Sequence, residues 1–381
     1  MYPQAVALPF LSIIATLVLI TPLVLHAKNR NFPAASILVW FILLNLFNIF
    51  NSFIWPNDDI ESYWDGVGLC DIEAKVMIAS YVAVPGGLLC VFRSLAAVLD
   101  TRCAMLVPTK IQRWKTRGME ILFCVFVPVA SMLTHIVYQR SRYMIYGITG
   151  CINDFDQSIM SLVLSFIWPP IICVIASYYC GMTATFPIYP NSTTNSLPAI
   201  VLYRLQKYRS QFGEIVNSSH SNLNKSRFLR LFFLMFTMLI IIFPIQCFVV
   251  YWNTNLSLPW HTYSWTAVHG PWFNHINKVP SYGQAFFDRW VPTAASFLVF
   301  VFFGCGKDAK ELYRSYLRFL GLGRWFPSLS LDCNRRMSAA GSTGSRVKLL
   351  FHKRWSSSSR YASPLIQKGK KKKKKSSNIH E

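Results

Sequence analysis

The chain has 381 residues, of which 53% are hydrophobic and only 14% charged. An average soluble domain carries about 25% charged residues, so this chain lacks the polar surface to cover a globule of its length, and a membrane class follows. Lys and Arg number 38 against 16 Asp and Glu, a net charge of +22. That excess serves either nucleic-acid binding or membrane topology, and its placement decides which.

Seven apolar runs follow one another at 5–25, 34–55, 76–99, 119–138, 159–186, 231–251 and 282–303. Each is near or above the roughly 20 residues that span a hydrocarbon core as a helix. A lone strand would leave its backbone groups unpaired in lipid, so each run is predicted to be helical. The last run is the least regular. It carries Asp288 and Arg289 near its start and Pro292 inside it, and the two charges find their cheapest place at the membrane interface. Prolines interrupt several runs. Pro244, after Phe243 in the sixth, reads either as plain kinked packing or as a hinge.

The basic residues alternate with the runs. The segments after runs one, three and five carry 2, 5 and 6 Lys or Arg, and the chain from Gly304 onward carries 19. The stretch 56–75 is acidic, with Asp58, Asp59, Glu61, Asp65, Asp71 and Glu73 against one Lys. Positive-inside placement puts the N-terminus outside and the tail in the cytoplasm. The predicted architecture is therefore all-α: a seven-helix bundle over 1–303, an amphipathic surface helix over 304–322 and a disordered basic tail over 323–381. Most of the net charge is a topology signal, and no nucleic-acid partner is expected. Lys368 with the run at 370–375 reads as a solvated tail or as a contact for anionic inner-leaflet lipid.

Little in the runs does chemistry. No metal, serine-hydrolase or Walker motif occurs, the last run has no Lys for a retinal Schiff base, and no carboxylate is expected inside the bilayer. Arg93 and His135 are the ionisable residues expected well inside the runs. Neither an enzyme nor a cofactor is expected. Two classes remain: a signalling receptor, which needs only two packings that a ligand biases, and a transporter for a lipid or small apolar molecule.

Particular residues resemble a known family. Trp64-Asp-Gly-Val-Gly-Leu-Cys70-Asp71-Ile72 is similar to the first-outer-loop signature of fungal lipopeptide (a-factor-type) mating-pheromone receptors, which are class D G-protein-coupled receptors. Gly150-Cys151-Ile-Asn153, Leu89-Cys90-Val-Phe-Arg93 and Arg227-Phe-Leu-Arg230-Leu231 resemble further motifs of that family, and the likeness covers roughly 2–322. The resemblance implies a plasma-membrane receptor for a prenylated peptide pheromone. Such a receptor activates a heterotrimeric G protein and the mating MAP-kinase response.

On that reading Cys70 and Cys151 are candidates for a disulfide between outer loops, the alternative being two free thiols. Trp64 and Asp65 in the first outer loop, and Trp252, Trp260, His261, Trp265 and Trp272 in the third, are candidate ligand contacts, the aromatic residues of the third loop forming a lid or entry site for an isoprenoid chain. Interfacial anchoring explains the same tryptophans, and topology explains the acidic loop. Arg93, Arg204, Lys207, Arg227 and Arg230 are candidates for coupling to the G protein, or mark the inner side only.

Overall fold

The computed structural model describes residues 2–99, 110–185 and 225–319. The chain divides into two compact units, Met1–Lys310 and Glu311–Glu381. Among its described residues the first holds seven helices long and apolar enough to cross a membrane: α1 (Pro3–Lys28), α2 (Phe32–Ile54), α3 (Leu69–Leu99), α4 (Lys110–Tyr138), α5 (Ile159–Thr183), α6 (Lys225–Leu256) and α7 (Phe287–Gly304). Helix α8 (Lys307–Phe319) runs into the second unit. The protein is a seven-span membrane protein.

Local sequence sets the helix ends. Pro3 opens α1, where a missing N–H costs nothing. Arg30, in the left-handed region at φ +55°, breaks it, and Asn31 then caps α2 by accepting from the Ala34 N–H at 3.4 Å. Helices α4, α5 and α7 each contain a π-helical turn, at Leu122–Phe126, Leu162–Phe166 and Phe300–Gly304.

α3 is the central helix: 83% of its apolar window is buried, against 22–39% in the other six. Its second half, from Val82 to Leu95, meets Ile37 and Phe41 of α2, Ile172 and Cys173 of α5, and Phe232 and Met235 of α6. Gly86 permits close approach of α4, since a Cβ there would run into the Phe123 carbonyl. The outward faces carry Phe10, Leu17, Phe53, Leu133 and Val301, all more than half exposed. That arrangement is unfavourable in water and natural against lipid.

Three helices start six or more residues before their apolar runs, α6 at Lys225 rather than 231 among them. α3 begins at Leu69 rather than 76 because Asp71 accepts the Gly68 N–H at 3.0 Å and closes its first turn. α4 begins at Lys110 rather than 119. A small sheet also departs from the all-helical expectation. Strands β1 (Met144–Tyr146), β2 (Gly150–Ile152) and β3 (Asn277–Val279) lie in the order β2-β1-β3, antiparallel then parallel. They sit in the connections after α4 and α6, where backbone groups pair with each other instead of within a helix.

Candidate functional site

The end of the bundle that carries this sheet is covered by three interlocked connections. Cys70, in the first turn of α3, is disulfide-bonded to Cys151 of β2. Gly150, beside it, has φ +76°, and a Cβ there would collide with the Asn51 side chain. Within that motif the glycine thus admits α2 and the cysteine fastens the hairpin to α3. Arg142 adds a second tie, donating from Nε at 2.7 Å and Nη2 at 2.5 Å to the Asp71 carboxylate. That partner pushes the Arg142 guanidinium further up from its ordinary value.

The connection after α6 runs across this end as a strap. Tyr263 Oη donates to the Val137 carbonyl at 2.8 Å, His261 Nε2 lies 3.0 Å from Asp156 Oδ1, and Phe273 O accepts the Arg142 N–H at 2.9 Å. Farther on, Lys278 Nζ pairs with Asp65 at 2.7 Å. Asp58 accepts from the Ser281 N–H at 2.7 Å, the Ser281 hydroxyl at 3.0 Å and the Gly283 N–H at 3.2 Å. Burial pushes the Asp58 carboxyl up, but these hydrogen bonds outweigh it and hold the group below its ordinary 3.8. The acidic residues ahead of α3 thus serve as internal clasps as well as a charge bias.

Between strap and hairpin lies a cleft of about 620 Å³. Arg140, Met144 and Asp154 form one wall and Trp272, Phe273 and His275 the other. Burial pushes the Asp154 carboxyl up, against the pull of the Arg140 charge. Trp272 is 78% exposed at the rim, and Trp265 stacks on His269 with ring centroids 3.9 Å apart. The structure scatters the other candidate ligand contacts. Trp64 stacks on Trp55 at 6.2 Å over the first connection, and Trp252 lies in the last turns of α6 beside Phe248. Trp260 is half-buried in the strap.

The expectation that the spans hold almost no ionisable group besides Arg93 and His135 is overturned. Because α3 starts at Leu69, Glu73 and Lys75 lie inside it. Glu73 Oε1 pairs with Arg289 Nη1 at 2.6 Å, and the two side chains are 0% and 4% exposed. Arg289, in the first turn of α7, is therefore buried in protein. Helix packing removes both groups from lipid, and their opposite charges offset the desolvation of each other. Lys75 Nζ lies 2.9 Å from His135 Nδ1 and donates to Gln139 Oε1 at 2.9 Å, joining α3 to α4. A buried carboxylate is thus present, so its supposed absence does not separate receptor from transporter. The polar spacing Asn45, Asn48, Asn51 on an otherwise apolar helix was the sequence signal for this network.

At the opposite, basic end, Phe303 of α7 packs edge-on against His26 of α1 at 4.7 Å and lies under the Arg230 guanidinium at 6.0 Å. Arg93 is half-buried on α3, and Arg227 lies in the first turn of α6. Pro244 sits inside α6 without ending it. Arg204, Lys207 and the lysine run at 370–375 lie outside the described residues.

Residues 7–321 match the STE3 family, described as Pheromone A receptor. The chain belongs to that family. The pheromone a factor receptor of Saccharomyces cerevisiae is 26% identical over 313 residues, covering 82% of this chain and 62% of that one. The pheromone B alpha 1 receptor of Schizophyllum commune is 26% identical over 327 residues, 81% of this chain and 47% of its own length. The pheromone M-factor receptor of Schizosaccharomyces pombe is 26% identical over 380 residues, 94% and 96% of the two chains. The aligned region thus spans about half to three-fifths of the first two relatives and nearly all of the third.

Proposed function

We propose that the protein is a G-protein-coupled receptor for a prenylated peptide mating pheromone, set in the plasma membrane with the disulfide end outside and the basic end in the cytoplasm. The observation that carries this reading is the family match over residues 7–321. The geometry supplies a place for the peptide: the cleft between strap and hairpin, with Arg140 and Asp154 offering opposite charges and Trp272 and Phe273 an aromatic wall. An isoprenoid chain laid on those rings contributes about 0.8 kcal/mol per CH₂-sized unit buried. None of the other candidates lines the cleft: Trp260, His261 and Trp265 lie on the same strap and serve as secondary contacts, whereas Trp64, Asp65 and Trp252 belong to other segments.

On the cytoplasmic side Arg93, Arg227 and Arg230, with Arg204 and Lys207, present positive charge to a heterotrimeric G protein. Pro244 supplies the hinge about which α6 swings, since it leaves a carbonyl of the preceding turn without its helical donor. The basic tail adds contact with anionic lipid. Exchange of GDP on the G protein then starts the mating MAP-kinase response.

Receptor and heterotrimer reconstituted in vesicles test this reading, with prenylated and unprenylated forms of the same peptide. Nucleotide exchange driven by the prenylated peptide is expected; lipid or solute flux without exchange would establish the transporter instead. Trp272→Ala should shift the half-maximal peptide concentration at least about tenfold upward, a loss on the scale of one well-buried aromatic contact. Because Trp272 is so exposed, surface density should hardly change.

A further inference from the structure

Four segments meet at Arg289. Its Nη1 pairs with Glu73 of α3 at 2.6 Å, its Nη2 donates to the Cys151 carbonyl of β2 at 2.6 Å, and its own carbonyl accepts from Asn48 Nδ2 of α2 at 2.8 Å. Asn51 Nδ2, also on α2, donates to Glu73 Oε1 at 2.8 Å and to the Thr149 carbonyl at 3.0 Å. The seam continues along α7. Thr293 Oγ1 donates to Asn45 Oδ1 at 2.7 Å and lies 3.1 Å from Ser12 Oγ, while Asn45 Nδ2 donates to Ser296 Oγ at 3.0 Å. Arg289, Thr293 and Ser296 share one helix face by their spacing of four and three.

Two features distinguish this cluster from simple packing. Removing one member of a buried ion pair strands the other charge, so the pair is either made or broken with little between. The cluster is also incompletely satisfied: Glu73 Oε2, Asn51 Oδ1 and Arg289 Nε are buried without a hydrogen-bond partner. A network with spare donors and acceptors has other arrangements open to it. The lever that reaches it is visible. Met144 begins β1 in the cleft wall, β1 pairs with β2, and the Cys151 carbonyl of β2 is held by Arg289.

We propose that the Glu73–Arg289 pair positions α7 in the resting receptor and is released when an occupant of the cleft shifts the hairpin, passing the signal from the second connection into α7. This rests on the receptor reading above. Neither residue contacts the ligand; both act through the hairpin.

The test measures ligand-independent signalling, maximal response and half-maximal peptide concentration at matched surface density for the wild type, Glu73→Gln and Arg289→Lys. Glu73→Gln keeps the shape and removes the charge. It should raise basal signalling roughly fivefold or more and lower the half-maximal concentration, the range expected for a coupling contact. Arg289→Lys keeps the pair and loses the second prong to Cys151, so a smaller rise is expected. Variants indistinguishable from wild type, or silent at the surface, overturn the proposal, as does retention of both inside the cell, which would make the cluster a folding element only. A wild type that ignores the prenylated peptide sinks the receptor reading itself, and that outcome is separate from all of these.

Discussion

In the first two turns of α3, Asp71, Glu73 and Lys75 each meet a charged or polar partner: Arg142, Arg289, and the pair His135 and Gln139. From Val82 to Leu95 the same helix is enclosed by apolar side chains of α2, α5 and α6. Dispersion contacts in the second half are many, small and gradual, so that half tolerates slight movement. Directional bonds and paired charges in the first half are few, large and close to all-or-none. A helix that must hold its place in the bundle while responding at one end combines both.

Breaking the polar half at its covalent tie should produce the largest effect. The Cys70–Cys151 bridge closes a sequence separation of 81 residues, a constraint of about 4.5 kcal/mol on the unfolded chain by loop entropy. Cys70→Ser and Cys151→Ser should each reduce surface display several-fold, as read by labelling an external tag on intact cells. Display and response equal to wild type in both would remove the bridge from the account.

The apolar half offers the contrasting experiment. Phe92 is fully buried and meets Phe232 edge-on at 6.1 Å. Phe92→Ala should cost about 3 kcal/mol through the cavity it leaves, seen as a lower unfolding temperature of the purified protein. Basal signalling per receptor at the surface should stay unchanged, because no directional contact is lost. A rise in basal signalling as large as that of Glu73→Gln would erase the distinction between the halves.

Seven helices were legible because each apolar run is long enough to need no tertiary information. The motifs around Cys70 and Gly150 were legible only through their resemblance to a family's outer-loop signatures; the structure adds the geometry, a disulfide to Cys151 and a positive φ beside it. The pairing of Glu73 with Arg289 was not legible because hydropathy treats a charge as a boundary, whereas a charge paired inside protein is compatible with a helix of the bundle. Their pairing joins positions 216 residues apart, which no local pattern reports. The cleft was equally hidden. The tryptophans of the strap announced an aromatic surface, but which of them face Arg140 and Asp154 depends on how strap and hairpin cross.

The smallest expected effect concerns the clasp at Asp58, which lies in the connection before α3 and anchors the far end of the strap. Its carboxyl is held below the ordinary 3.8 by hydrogen bonds from Ser281 and Gly283 that outweigh its burial. A group whose folded pKa is lowered adds stability above its unfolded pKa and loses it as pH falls through the folded value. The contribution at neutral pH is about 1 kcal/mol, since the site is partly solvated. Asp58→Asn should therefore lower the unfolding temperature slightly at pH 7. The gap to wild type should close as pH falls below the ordinary 3.8 and through the lowered value at which the wild-type carboxylate protonates. Hydrogen exchange at the Ser281 and Gly283 amides reads the same event locally. If those amides stay equally protected in both proteins across that range, the strap is held by Lys278 and the strand pairing of β3 instead, and the Asp58 clasp contributes nothing to closing the cleft.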